Sequence, residues 1–150
     1  MGRRTVARLR DEADGAILIE FALTLPLLLL ILFGIIDFGF VFRDYHVITN
    51  AAREGARVAV LPGYDTKDVQ DRVDAFLRAS GVTPGPPPEV VDGSFEPGSG
   101  GLKFTTKAVR VRIPYTFVLI GPIAQVFGRT FGTVTLSAYS EMRTEVAGGP

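Results

Sequence analysis

The sequence has no cysteine, no tryptophan and a single histidine, His46, in 150 residues. Lack of cysteine excludes disulfide scaffolds, thiolate zinc sites, iron–sulfur clusters and cysteine nucleophiles together. A lone histidine, far from any acid–histidine spacing, excludes the usual zinc site, and His46 reads as a surface or interface residue. Excess charge is also missing: 16 Lys and Arg balance 16 Asp and Glu. Nucleic-acid binding needs a basic surplus to displace counterions from phosphate, so that class is set aside. No G-x-S-x-G, phosphate-binding glycine loop, paired-histidine motif or dinucleotide fingerprint occurs. Asp65, Asp68, Asp71 and Asp74 recur every third residue on a predicted helix and read as a solvated face. Nothing favours a carboxylate pair for glycoside hydrolysis. The chain reads as a non-enzyme with no metal and no cofactor.

What the sequence has in abundance is apolar residues in its first third. Residues 16–42 carry only two charges, Glu20 and Asp37, and Phe21 to Ile36 carry none. At 1.5 Å rise per residue, about 20 residues of helix cross a ~30 Å hydrocarbon core. A soluble helix would show a polar face in this run, and none appears. Residues 16–42 are therefore the expected transmembrane part of a helix. The preceding leader, residues 1–15, contains Arg3, Arg4, Arg8 and Arg10. Basic residues before a first span hold the N-terminus in the cytoplasm, which sends the remainder outside.

Secretory signal peptides have an apolar core of roughly 7–15 residues followed by small residues at a cleavage site. The run here is longer and continues into Asp37-Phe38-Gly39-Phe40. An uncleaved anchor accounts for the span but not for Gly15 at the leader junction or for Glu20 five residues on. A carboxylate within a membrane helix is costly and calls for a partner, although Glu20, close to the end of the run, can instead snorkel into the interface. A cut after Gly15 would create an α-amine on Ala16, one helical turn from Glu20.

Beyond Phe42 the pattern turns amphipathic and meets no break before Leu61-Pro62-Gly63. One helix over about Ala16 to Val60 is expected, roughly 67 Å long, with residues 43–61 as its amphipathic continuation and Pro26 as a kink. Ala51, Gly55 and Ala59 form a small-residue stripe suited to close helix packing. That stripe predicts a covering partner, either the protein's own sheet or another subunit. Arg53, Glu54 and Arg57 read as a solvated face with one Glu54–Arg57 pair.

Residues 62–150 form the expected small outer domain. Asp65 is a suitable N-cap for a helix to Ala79, with Val69, Val73, Phe76 and Leu77 on one face and Gly81 as its stop. Residues 81–101 are rich in Gly, Pro and Ser and read as a loop, with Val90-Val91 as a short strand within it. Phe104 to Tyr115 and Thr133 to Arg143 alternate as half-buried antiparallel strands. Val109, Val111, Ile113 and Tyr115 point inward on the first, and Val134, Leu136 and Ala138 on the second. The apolar stretch from Phe117 to Phe127 is too short to span a bilayer. Its default reading is a core element, with a place on the outer leaflet or at a subunit contact as alternatives. The fold class is α+β: a long N-terminal helix, then a small domain with one helix and an antiparallel sheet.

Gly15-Ala16-Ile17-Leu18-Ile19-Glu20-Phe21 resembles the processing site of type IV pilin-like proteins. Thr49-Asn50-Ala51-Ala52-Arg53-Glu54-Gly55-Ala56-Arg57 resembles the signature of TadE-like pseudopilins of tight-adherence, or Flp-type, pili, here carried by Asn50, Arg53, Glu54 and Arg57. The resemblance is dense from about Asp14 to Ala59. It is looser at Leu136 to Arg143, which is similar to the family's closing strand. The acid-rich end of the leader, Asp11-Glu12-Ala13-Asp14, departs from the pattern by lowering the positive charge beside the junction.

The resemblance implies a pilin-like fold and a structural minor pseudopilin. It would be cut by a prepilin peptidase between Gly15 and Ala16, with Glu20 setting register against a neighbouring N-terminus. The implied partners are other pilus subunits and pseudopilins, the peptidase, the inner-membrane assembly platform and the lipid bilayer. The implied location is the bacterial inner membrane, single-pass, with possible incorporation into a surface pilus. The rival is an uncleaved single-pass anchor that displays an extracytoplasmic binding domain.

Overall fold

The computed structural model describes residues 2–95, 104–126, 128–129 and 133–144. In chain order the elements are α1 (Gly2–Ala59), α2 (Thr66–Ala79), β1 (Glu89–Phe95), β2 (Phe104–Tyr115), α3 (Ile120–Val126) and β3 (Val134–Arg143). The fold is α+β, as the periodicities predict. The chain divides into two units, one built from α1 through Phe38 together with α3, the other from the end of α1, α2 and the sheet.

In the first unit, α1 begins at Gly2, not at Ala16, and it runs on through Pro26. The leader carries four Arg together with Ala7, Leu9, Glu12 and Ala13, all strong helix formers, and Gly15 costs only about 1 kcal/mol in a helix interior. Nothing there is strong enough to stop the helix. From Ile17 to Ile36 most large apolar side chains are exposed, among them Leu23 at 75 %. The helix from Gly15 to Ala59 is the one candidate membrane span among the described residues.

This unit also holds α3. The sequence assigned the stretch from Phe117 to Phe127 to the core of the outer domain by default, and the structure corrects that. The Ile120 Cδ1 carbon lies 3.8 Å from where a Cβ on Gly34 would stand. Ile123 shares an apolar groove with Leu23, Pro26, Leu27, Leu29, Leu30 and Phe33 of α1.

The second unit is a two-layer arrangement. Its sheet has the order β1-β2-β3, with both pairs antiparallel. Central β2 buries Val109, Val111, Ile113 and Tyr115, as alternation requires, while Arg110 and Arg112 lie on the other face and both reach Glu89 of β1. On β3 Ala138 is buried, but Val134 is 44 % exposed, not inward as expected. It stands at the first position of an edge strand. The loop expected over residues 81–101 is shortened by β1, which pairs Val90 with Val109.

Helix α2 starts where its cap dictates. The Asp65 carboxylate accepts from the Asp68 N–H, and the Asp68 carboxylate accepts from the Asp65 N–H, both at 2.9 Å. This reciprocal capping box satisfies two N–H groups that a helix end otherwise leaves orphaned. Asp65 and Asp68 thus do more than decorate a solvated face. The helix ends with Gly81 at φ 73°, where the Val82 N–H donates to the Leu77 carbonyl and the Gly81 N–H to the Arg78 carbonyl. Val69, Val73 and Leu77 face a core shared with Ile48, Ala51, Ala52 and Ala56 of α1 and with the sheet residues above.

Candidate functional site

Ala51, Gly55 and Ala59 form the floor of the core in the second unit. Ala51 and Ala59 are buried, and a Cβ added to Gly55 would stand 2.7 Å from Val73 Cγ2 and 3.1 Å from Val109 Cγ1. The stripe lets both α2 and β2 approach the backbone of α1. Around it, Asn50, Arg53 and Arg57 are exposed. Glu54 is bound to Arg72 of α2, not to Arg57: its Oε1 accepts from Arg72 Nη2 at 2.7 Å and from Nε at 3.1 Å. The i, i+3 spacing that suggested a Glu54–Arg57 pair loses to a two-pronged guanidinium contact from the neighbouring helix. Arg72 was not legible as a partner, since nothing local links it to a residue 18 positions earlier. Arg43 donates to the Ser80 carbonyl at 3.0 Å, adding a second tie between α1 and the end of α2. His46 is exposed, with its ring 6.4 Å from that of Tyr45. No cluster of potential metal ligands occurs among the described residues.

The two acids of the apolar helix have opposite surroundings. Glu20 is exposed. Its backbone carbonyl accepts from the Thr24 hydroxyl at 2.8 Å, and its carboxylate has no hydrogen-bond or ion-pair partner among the described residues. Gly15, five positions earlier, has no atom within 4 Å of where its Cβ would stand. Packing therefore gives no reason for glycine there. Ala16 beside it is exposed.

Asp37 is fully buried. Its Oδ1 accepts from the N–H groups of Val118 and Leu119, each at 3.1 Å. Its Oδ2 accepts from Leu119 at 3.1 Å and from Ile120 at 2.8 Å. These are the N–H groups that open α3, so the carboxylate both supplies their missing acceptors and sits against the positive end of the helix dipole. Sequence reasoning placed Asp37 only as a boundary charge. The signal that would have found it is the cost of any carboxylate in an apolar segment, which demands donors somewhere in the fold.

Comparison with known families bears on this first helix. Residues 15–57 match the model of a family described as TadE-like protein. No curated protein and no solved structure matches the chain.

Proposed function

Taking the TadE-like segment at residues 15–57 as premise, we propose that the chain is a structural minor pseudopilin of a tight-adherence pilus. A prepilin peptidase removes residues 1–15 by cutting between Gly15 and Ala16, and the mature helix from Ala16 anchors the subunit and packs into the assembly. Residues 16–42 span the inner membrane with the N-terminus cytoplasmic, and the domain from residue 62 lies outside. The observation that carries this reading is Glu20, an exposed carboxylate without a partner among the described residues, on an otherwise apolar surface. Its cost in the membrane is offset by a cation, and the new α-amine of Ala16 lies about 6 Å away along the helix axis. The same amine on a neighbouring subunit supplies the charge equally well and sets the register between two helices.

Gly15 supports the same conclusion. It costs the leader helix about 1 kcal/mol relative to alanine and relieves no clash among the described residues. Its role then belongs to an external reader, and a peptidase that requires a small residue before the cut is such a reader. Asn50, Arg53 and Arg57, exposed beside the core stripe, are available to other pilus subunits and to the assembly platform. No step of this function needs catalysis, metal or cofactor from the chain itself.

The test is intact-mass analysis and N-terminal sequencing of the membrane-extracted protein, from cells with and without the peptidase. A chain starting at Ala16 only when the peptidase is present supports the proposal. A chain that keeps the leader in both strains refutes it and favours a signal-anchored domain.

A further inference from the structure

We infer that α3 is a second membrane-embedded element, a re-entrant turn whose apolar residues contact lipid acyl chains beside α1. The inference rests on the reading of α1 as a membrane span, and it adds that the chain touches the hydrocarbon at two places far apart in sequence.

The first support is composition. From Phe117 to Gly128 there is no charged residue, and the stretch is too short to cross a bilayer. Val118 is 57 % exposed, and Ile123 joins Leu23, Pro26, Leu27, Leu29, Leu30 and Phe33 along one apolar groove. The exposed apolar surface of the two helices belongs to a single unit, so a lipid that covers one reaches the other.

The second support is the backbone. In hydrocarbon every N–H and C=O must find its partner inside the protein, because no water is present to replace it. Short helices usually leave both ends to solvent. Here each end carries hydrogen bonds supplied by the chain itself. Asp37 accepts the N–H groups of Val118, Leu119 and Ile120. At the other end, Gly128 takes φ 68°. Its N–H donates to the Gln125 carbonyl at 3.0 Å, and the Arg129 N–H donates to the Ala124 carbonyl at 2.9 Å. This is the paired bonding of a Schellman end. A lipid-embedded turn depends on such internal acceptors, because no water is there to replace them. Asp37 thereby gains donors that justify its own place in an apolar helix.

Depth is bounded by two groups. Asp37 lies 17 residues beyond Glu20, about 25 Å along the axis, so it stands near one edge of a ~30 Å core. Arg129 ends the uncharged run, and its long stem allows the guanidinium to snorkel to the headgroups.

Because the chain has no cysteine, single nitroxide labels can be placed without a background. The full-length protein, reconstituted in phosphatidylcholine and phosphatidylglycerol vesicles, carries a label at Val118→Cys, Pro122→Cys, Leu28→Cys or Thr135→Cys. Collision with oxygen, which concentrates in hydrocarbon, is compared with collision with a water-soluble nickel chelate. Labels at positions 118 and 122 should show an oxygen-to-nickel ratio several-fold above that at position 135 and close to that at position 28. Adding Asp37→Ala should lower the ratio at 118 and 122 and leave that at 28 unchanged. Three results overturn the inference: a water-like ratio at 118 and 122 with a lipid-like one at 28, poor access by both reagents at 118 and 122, which means protein covers them, or no response to Asp37→Ala. A water-like ratio at position 28 itself defeats the membrane-span reading instead.

Discussion

Replacing Gly55 by alanine is the sharpest test of how α1 is held in the second unit. The added Cβ would lie 2.7 Å from Val73 Cγ2, 3.1 Å from Val109 Cγ1 and 3.5 Å from Val69 Cγ1. Favourable carbon contacts begin near 3.5 Å, so the first two distances fall short by about 0.8 and 0.4 Å. Neither valine can swing aside, because β-branching leaves essentially one rotamer in a helix and few in a strand. Overpacking of this kind costs about 1–3 kcal/mol. Alanine returns about 1 kcal/mol of helix propensity, which leaves a net loss of roughly 0–2 kcal/mol. Gly39→Ala is the matched control, since no atom lies within 4 Å of that position. Propensity cancels between the two, so their difference should be about 1–3 kcal/mol. Unfolding of the full chain in detergent, followed by circular dichroism, measures it. Adding Val73→Ala to Gly55→Ala removes the closest methyl, and the cycle should show favourable coupling of about 0.5–3 kcal/mol. A Gly55→Ala protein as stable as Gly39→Ala, with no coupling to position 73, would refute the close packing argued here.

On the proposed function, Glu20→Ala should leave membrane insertion and the fold intact but sharply reduce co-purification with pilus subunits, and unchanged assembly would refute the register role proposed for it. The Glu54–Arg72 pair is partly solvated, with 55 % of the Arg72 side chain exposed. A double-mutant cycle with Glu54→Ala and Arg72→Ala should therefore give only about 0–1 kcal/mol of coupling, and a larger value would show stronger desolvation. The carboxyl of Asp65 is held below its ordinary value of 3.8, chiefly by the hydrogen bond from the Asp68 N–H. Because the folded state favours the ionised form, this stabilisation is complete above about pH 4 and is lost as pH falls through the lower folded value. Asp65→Asn should flatten the acid limb of the stability profile, and an unchanged limb would count against the cap.

The second unit was largely legible because its signals are local. A capping aspartate, a 3.6-residue apolar face and a closing glycine define α2. Alternation from Phe104 to Tyr115 defines β2, and the four side chains it turns inward are buried, while Thr106 and Ala108 of the same strand are buried without having been read as core. The failures share one cause, dependence on what lies far along the chain. Val134 keeps the alternation of its strand, but the pattern carries no information about exposure at the first position of a sheet edge. Glu54 has a suitable cation three residues away and binds one 18 residues away. Residues 117–127 look like core material by composition, since an apolar run of this length fits a core or a membrane surface equally well. Their placement follows from donors meeting Asp37 across more than 80 residues, a pairing with no periodicity to read.

Two carboxylates interrupt the apolar helix, and the contrast between them separates what the chain completes alone from what it leaves to others. Each carries a cost that in the middle of a membrane helix reaches about 2.5–3.5 kcal/mol. Asp37 recovers it within the chain through three backbone donors and the dipole of α3, so its charge is already answered when the subunit is by itself. Glu20 has no such answer among the described residues, although only 17 positions of the same helix separate the two. On the reading proposed above, the cation that answers it is the α-amine of Ala16, on the same or a neighbouring subunit, which a cut after Gly15 creates. The two acids should then fail differently. Loss of Asp37 releases α3 in the isolated chain, whereas on the proposed reading loss of Glu20 shows itself in assembly with a second subunit.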